Sequence, residues 1–429
     1  MFVRDDEKLS EISIQRRNLL FKNNEDCYHK IMDGIKSVRE LAVEKKRVFV
    51  RVDFNVPLDP SGTVTDDTRI TAALPTIQYL LEQGAKVILA SHLGRPKGKR
   101  NMQYSLKPVA RVLATRLNQP VLFLDDCIGK EVEQATADMA ENSVVLLENL
   151  RFHPEEEAND EAFAKQLAAL ADVYVNDAFG TMHRAHASTA GMVPFVSQKA
   201  AGFLVEKELN FLKEKIDIPQ RPFCVVLGGA KVSDKIGVIE ALLEKADQIL
   251  IGGGMSFTFA LAQGKTIGNS LAEPDKVELA KALLEKAKAR GVDLHLPTDI
   301  VASDTVDIKA RTLGATKIFE GNIDDGWQGV DIGSKTVEDY ATCIRSAKTV
   351  FWNGPMGIFE IKASAEGSFR IAQALATCEG TTIVGGGDCV KAVRQSGCAE
   401  DITFLSTGGG ASLKLLEGKP LPGLEALKR

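Results

Sequence analysis

The chain has 429 residues, long for one core, and that length predicts two or three domains. It is 44% hydrophobic and 26% charged, as ordinary globular enzymes are, and its formal net charge of -5 argues against a general nucleic-acid binder, which would usually be basic. No apolar run approaches the roughly 20 residues that span a membrane, and seven cysteines without a C-x-x-C pair argue against a disulfide framework or zinc site and for a reducing, cytoplasmic compartment.

The first thirty or so residues stand apart. Arg4, Arg16, Arg17 and Lys22 mix with Asp5, Asp6, Glu7 and Glu11, with no apolar core. This fits neither a secretory signal nor a transit peptide, and an extra helix or frayed arm is expected. Arg16 breaks a faint bipartite peroxisomal pattern, and Leu427-Lys428-Arg429 is not a peroxisomal tripeptide. From about residue 47 strands alternate with amphipathic helices, which predicts parallel sheets covered by helices. First-half strands are expected over 48–54, 86–91, 121–124, 144–148 and 173–176, with helices over 71–83 and 161–171. In the first strand Arg51, Asp53 and Asn55 share one face and Val52, Phe54 and Val56 the other. Ligands of open parallel sheets bind at such carboxyl ends, although an edge strand with one polar face would read the same way. Arg69 follows Asp66-Asp67-Thr68, His92 through Arg95 follow the second strand, Arg151 follows Glu148-Asn149-Leu150, and Arg184 lies in His183-Arg184-Ala185-His186. Several basic residues at corresponding strand ends suit a small, highly anionic ligand. His183 and His186 are metal ligands by type, but a spacing of three is a weak signal.

A join is expected near 197–222, where 199–215 reads as one long amphipathic helix broken by Pro219 and Pro222. Such a helix could be a hinge axis or simply pack on one domain. Beyond it, six apolar runs end in glycine-containing clusters: Val225 to Gly229, Leu250 to Gly254, Val330 to Gly333, Phe351 to Gly354, Ile383 to Gly387 and Phe404 to Gly410. Glycine after a buried strand lets backbone N–H groups approach a phosphate. A further strand is expected over 293–297 and helices over 235–245 and 275–290. Lys231 and Lys235, four apart after Gly228-Gly229, are expected on one face of a helix start, where they need an anion. Neither a Walker A loop nor a G-x-G-x-x-G fingerprint occurs. Asp388 follows Gly385-Gly386-Gly387 and suits magnesium, which takes one or two carboxylates and otherwise phosphate and water; an N-cap role is compatible. Glu360 could meet ribose hydroxyls. One half suits a nucleotide and the other a small polyanion, so phosphoryl transfer is the expected chemistry.

Ten ordered segments carry a resemblance to the phosphoglycerate kinase family from about residue 36 onward: RVDFNVP (51–57), DDTRI (66–70), SHLGRP (91–96), ENLRF (148–152), FGTMHRAHAS (179–188), GGAKVSDKI (228–236), IGGGMSFTF (251–259), WNGPMGIFE (352–360), GGGD (385–388) and STGGGASLKLLEGK (406–419). The resemblance implies an α/β fold of two Rossmann-like domains with parallel sheets flanked by helices, joined by an interdomain hinge helix. It implies an N-terminal extension over 1–35, a phosphoglycerate-binding domain over 36–198 to which the tail 416–429 returns, and a nucleotide-binding domain over 199–415 that includes the linking helix. It further implies a glycolytic and gluconeogenic kinase, monomeric and without nucleic-acid or membrane partners. Such an enzyme moves a phosphoryl group reversibly between 1,3-bisphosphoglycerate and Mg-ADP, giving 3-phosphoglycerate and ATP after domain closure. Carried over, Asp53, Asn55, Arg69, His92, Leu93, Gly94, Arg95, Arg151 and Arg184 would bind phosphoglycerate. Gly228, Lys231, Lys235, Gly329, Asn353, Glu360, Gly386, Gly387, Asp388 and Cys389 would hold the nucleotide, with Asp388 on magnesium. Arg69, Lys235 and the N–H groups of residues 408–410 would stabilise the transferring group.

Cys389 stands where the family usually has Thr or Ser, Lys414 where it usually has Glu, and the first thirty residues lie outside the common pattern. Two rivals are a kinase of another small anionic metabolite and an inactive scaffold; intact Arg69, Lys231, Lys235 and Asp388 speak against the second.

Overall fold

The structure is a computed structural model that describes Met32 and residues 34–428. The helix or arm expected over the first thirty residues lies outside them. The described chain forms two compact units, 34–210 with 419–428, and 211–418. Residues 199–210, assigned above to the second domain, belong to the first unit.

The first unit is built on β1 (Arg47–Val52), β2 (Lys86–Ala90), β3 (Val121–Leu124), β4 (Val144–Leu147), β5 (Val173–Asp177) and β6 (Gln198–Ala201). All pair parallel in the order β3-β4-β2-β1-β5-β6. Val48, Val50, Val52, Val87, Leu89, Val144, Leu146, Val173 and Val175 fill one face. Phe49, Ile88, Val145 and Tyr174 are buried on the other. Helices on both faces explain why these strands are apolar throughout. One of them, Thr68–Glu82, turns Ile70, Ala73, Ile77 and Leu80 inward at helical spacing. It starts three residues before the expected position, so Arg69 stands in its first turn.

Residues 199–215 are not one helix. Lys199, Ala200 and Ala201 pair with β5 as part of β6. Gly202 then starts the helix Phe203–Leu209, and a wider turn of helix, Asn210–Glu214, follows. A Cβ on Gly202 would sit 2.3 Å from Asp177 Oδ1, so the break is fixed by close approach of β5. The amphipathic pattern alone did not distinguish a strand end followed by a helix from a longer helix.

The second unit holds β7 (Phe223–Leu227), β8 (Gln248–Ile251), β9 (Asp293–His295), β10 (Asp299–Ser303), β11 (Val306–Asp307), β12 (Thr312–Leu313), β13 (Thr316–Glu320), β14 (Gln328–Ile332), β15 (Thr349–Asn353), β16 (Thr381–Gly385) and β17 (Phe404–Leu405). A parallel sheet runs in the order β17-β16-β15-β7-β8-β9. Five of the six glycine-terminated runs end its strands. The sixth, β14, instead pairs antiparallel with β10, which pairs antiparallel with β13. The segment from 304 to 327 contains no helix to carry a parallel crossover, so the chain reverses locally. Phe257, Ile300, Ala302, Phe319 and Ile323 form a small core beside this sheet. The six described cysteines are free thiols. Among the described residues no helix is long and apolar enough to cross a membrane.

Leu146 is fully buried in an inner strand of the first sheet. Leu146→Ala should therefore cost about 2–5 kcal/mol through lost transfer energy and a cavity. Urea unfolding followed by circular dichroism measures this. A loss below ~1 kcal/mol would show that the site collapses around the smaller side chain.

Candidate functional site

The carboxyl ends of β1, β2, β4 and β5 lead into the loops that carry the first set of residues. Arg51, the fifth residue of β1, is fully buried. A guanidinium there needs partners. Its Nε donates to Ser188 Oγ at 2.8 Å, one terminal nitrogen donates to the Val52 carbonyl, and the other lies 3.3 Å from His92 Nδ1. Ser188 is itself held by buried Glu156, donating from Oγ at 2.5 Å and from its backbone N–H at 2.9 Å. Val52, Phe54 and Val56 pack in the core on the opposite side, as the alternation predicts. Arg51, read from the sequence only as a neighbour of Asp53 and Asn55, lies at the centre of this network. Glu156 and Ser188 had no distinguishing sequence signal beyond lying in or beside the ENLRF and FGTMHRAHAS segments.

Asp53 accepts from Arg69 at 2.5 Å, and Asn55 Oδ1 accepts from the Gly94 backbone N–H at 2.8 Å. Gly94 has φ +62, and a Cβ would meet the Tyr104 ring at 2.4 Å, so only glycine fits this turn. Its carbonyl accepts from buried Arg151 at 3.0 Å. Leu93 is buried and its carbonyl accepts from Asn149 Nδ2 at 2.7 Å. Arg95 is exposed on the same loop, and Arg184 is exposed before His186.

These groups form one electrostatic cluster. His92 is held well below the ordinary imidazole value, first by burial and then by Arg51, Arg151 and Arg69. His186 is pushed down to about 4 by burial, then by Arg151, Arg51, Arg184 and His183. Both imidazoles are therefore neutral near pH 7, because further positive charge beside these four arginines would be costly. Buried Glu156 is raised above its ordinary value by burial, against the pull of Arg51 and its bonds from Ser188. The result is a rigid cationic patch suited to a polyanion.

In the second unit the turn after β7 approaches the turn after β15 at backbone level. Gly228 N–H donates to the Asn353 carbonyl and Gly229 N–H to the Pro355 carbonyl, both at 3.0 Å. A Cβ on Gly228 would lie 2.1 Å from the Pro355 oxygen. Lys235 Nζ donates to Asn353 Oδ1. Burial lowers the Lys235 pKa, opposed by Cys389, Asp234 and Asp388. Asn353 is 1% exposed, its Nδ2 has no hydrogen-bond partner among the described residues, and the Cβ direction of Gly386 points within 3.1 Å of it. A buried amide donor facing a glycine turn suits an anionic or carbonyl ligand.

Lys231 and Lys235 do not share a helical face. The helix begins at Ile236 with Lys235 as its N-cap, and Lys231 lies exposed in the preceding loop. Nor is Asp388 an N-cap: Gly386 holds that position at φ +94, and Asp388 stands exposed in the first turn of Gly387–Gln395. An exposed carboxylate there, near Lys235, fits a hard cation that completes its shell with phosphate and water. Cys389 is wholly buried in the apolar cluster around Trp352, and burial raises its thiol pKa. Gly329 lies on β14, its N–H donating to Ser270 Oγ at 2.8 Å, and a Cβ would strike Phe257. Glu360 is exposed beyond the β15 turn.

The histidines make stability pH-dependent. The unfolded chain binds the His186 proton near 6.5, whereas the folded chain resists it down to about 4. Stability is thus present above about pH 6.5 and is lost as pH falls toward 4. His186→Gln, which cannot titrate, should lose about 2 kcal/mol less than the parent chain between about pH 7 and about pH 4.5. Urea unfolding at each pH tests this, and parallel stability curves would mean that His186 titrates normally.

A profile described as phosphoglycerate kinase matches residues 38–419. The phosphoglycerate kinase of Anaeromyxobacter sp. (strain K) is 55% identical over 395 residues, covering 92% of this chain and 99% of its own. A cytosolic phosphoglycerate kinase of Nicotiana tabacum is 53% identical over 402 residues, covering 92% of this chain and 99% of its own. The solved phosphoglycerate kinase of Coxiella burnetii superposes with a TM-score of 0.82 at 39% identity, covering 92% of this chain and 98% of that one. With a match that spans both units and every segment that carries the two residue sets, this chain belongs to the phosphoglycerate kinase family.

Proposed function

We infer that the chain is a glycolytic phosphoglycerate kinase that moves a phosphoryl group reversibly between 1,3-bisphosphoglycerate and ADP, giving 3-phosphoglycerate and ATP. The observation that carries the reading, within this family, is the convergence of Arg51, Arg69, Arg151 and Arg184 around two neutral imidazoles. In this reading Asp53, Asn55, Arg69, His92, Arg95, Arg151 and Arg184, with the Leu93-Gly94 turn, hold phosphoglycerate. Asp53 and Asn55 orient the arginine and the glycine turn, and the arginines neutralise carboxylate and phosphate oxygens. Gly228, Lys231, Lys235, Gly329, Asn353, Glu360 and the Gly386-Gly387-Asp388-Cys389 turn hold the nucleotide. Because the Cys389 side chain is buried, its backbone would make that contact. Asp388 would hold magnesium, which supplies charge neutralisation on the phosphate oxygens.

No side-chain nucleophile is needed. A loose phosphoryl transition state gains from alignment and from charge on its equatorial oxygens. Arg69, Lys235 and the N–H groups of residues 408–410 supply that charge. Asn353 holds Lys235 ready through its side-chain oxygen. Direct in-line transfer requires both ligands to be brought together, with domain closure excluding water. The enzyme is proposed to act as a monomer in the cytoplasm, as its free thiols suit.

A coupled assay of ATP formation from 1,3-bisphosphoglycerate and ADP tests the reading directly, and absence of turnover by the folded chain would overturn it. Arg69→Ala should lower kcat roughly 10³-fold with a smaller change in substrate affinity. More than about half of the parent kcat would remove Arg69 from the transfer step. Asp388→Ala should weaken magnesium-nucleotide binding at least about tenfold and leave 3-phosphoglycerate binding nearly unchanged. Titration calorimetry with each ligand alone separates the cases. Loss of neither affinity would exclude Asp388 as the metal ligand, and equal loss of both would point to misfolding.

A further inference from the structure

Behind Arg151 lies a second group of ligating side chains. Asp126 and Cys127 come from the turn between β3 and the helix Lys130–Ala137, and His153 follows the short helix Leu150–Phe152. One carboxylate oxygen, the thiol sulfur and one ring nitrogen lie within 4.8 Å of one another. Asp126 Oδ1 is 2.7 Å from His153 Nε2 and accepts from the Cys127 backbone N–H at 2.7 Å. The arrangement is held in place. Cys127 is 1% exposed, and the His153 ring packs on Phe163 with centroids 5.3 Å apart. Asp126 and His153 remain partly open to solvent, which leaves an entry path. Asp126, Glu156 and Glu148 face the thiol; Asp126 and Glu155 face the imidazole, opposed by Arg100.

We propose that Asp126, Cys127 and His153 bind a borderline-soft divalent cation of the zinc or cobalt class, with water as the fourth ligand. A tetrahedral ion with bonds of about 2.0–2.3 Å needs its ligand atoms roughly 3.3–3.8 Å apart. The cluster is therefore within about an ångström of a binding geometry. A thiolate and an imidazole select against magnesium and calcium, which prefer oxygen. Binding forms one metal–sulfur, one metal–nitrogen and one metal–oxygen bond and releases five of the six waters of the hydrated ion, the sixth staying as the fourth ligand. The thiol proton, and any second proton on the imidazole, pass to solvent. The absence of a C-x-x-C pair, which argues against a structural zinc site, does not bear on a centre with a single thiolate from two separate loops. Occupancy would tie the loop after β3 to the segment carrying Arg151. The centre does not depend on Asp388, which lies in the other unit.

Cobalt titration of the metal-stripped full chain, without nucleotide, tests this. One equivalent should bind, with a thiolate-to-cobalt charge-transfer band in the near ultraviolet and visible absorption of tetrahedral intensity. Cys127→Ser should lose the charge-transfer band, and Asp126→Asn and His153→Gln should each weaken binding at least about tenfold. No such band in the parent chain, or the same band in Cys127→Ser, would overturn the proposal. If the buried Cys127→Ser does not fold, the partly exposed His153→Gln decides. Unchanged cobalt affinity in that variant would overturn the site.

Discussion

Like charges that must sit together without an anion set the main constraint on the first unit. Arg51 and Arg151 are buried near His92 and His186, where repulsion favours any rearrangement that spreads them out. The structure resists this with directional contacts between the strand-end loops of one sheet. Arg51 is held by Ser188, which is held by Glu156; Arg151 is held by the Gly94 carbonyl; and Gly94 is held by Asn55. Each contact joins a different strand end of one sheet, so the sheet's register fixes the spacing of the charges. Neutral histidines limit the repulsion, and the price of the arrangement is recovered only when an anion arrives.

The second unit meets a different constraint. Its glycine turns are packed backbone to backbone, so the room left for a ligand is defined by the absence of side chains. Gly228 against Pro355 and Gly386 beside the Asn353 amide leave a surface of peptide groups with one lysine at its edge. Such a surface has little conformational freedom to lose on binding.

Much of this was legible in the sequence. Period-two alternation in RVDFNVP placed Val52, Phe54 and Val56 in the core, and apolar runs ending in glycine marked five strands of the second sheet. The errors came where local pattern and tertiary pairing disagree. Residues 199–201 have helical character in sequence yet complete a sheet edge, and β14 resembles its parallel counterparts yet joins an antiparallel sheet. Lys231 and Lys235 are four apart, but the helix begins after both. Glu156 and Ser188 are distant from Arg51 in sequence, so no periodicity could connect them. The Asp126, Cys127 and His153 grouping was hidden for the same reason.

The helix Pro422–Lys428 belongs to the first unit although the whole second unit precedes it in the chain. Its Gly423 N–H donates to the Met182 carbonyl, and a Cβ at Gly423 would press on Met182, directly before His183 and Arg184. During synthesis the six strands of the first sheet emerge long before this backing does. The backing of the Met182 turn, next to His183 and Arg184, is therefore completed only after residues 211–418 have been made.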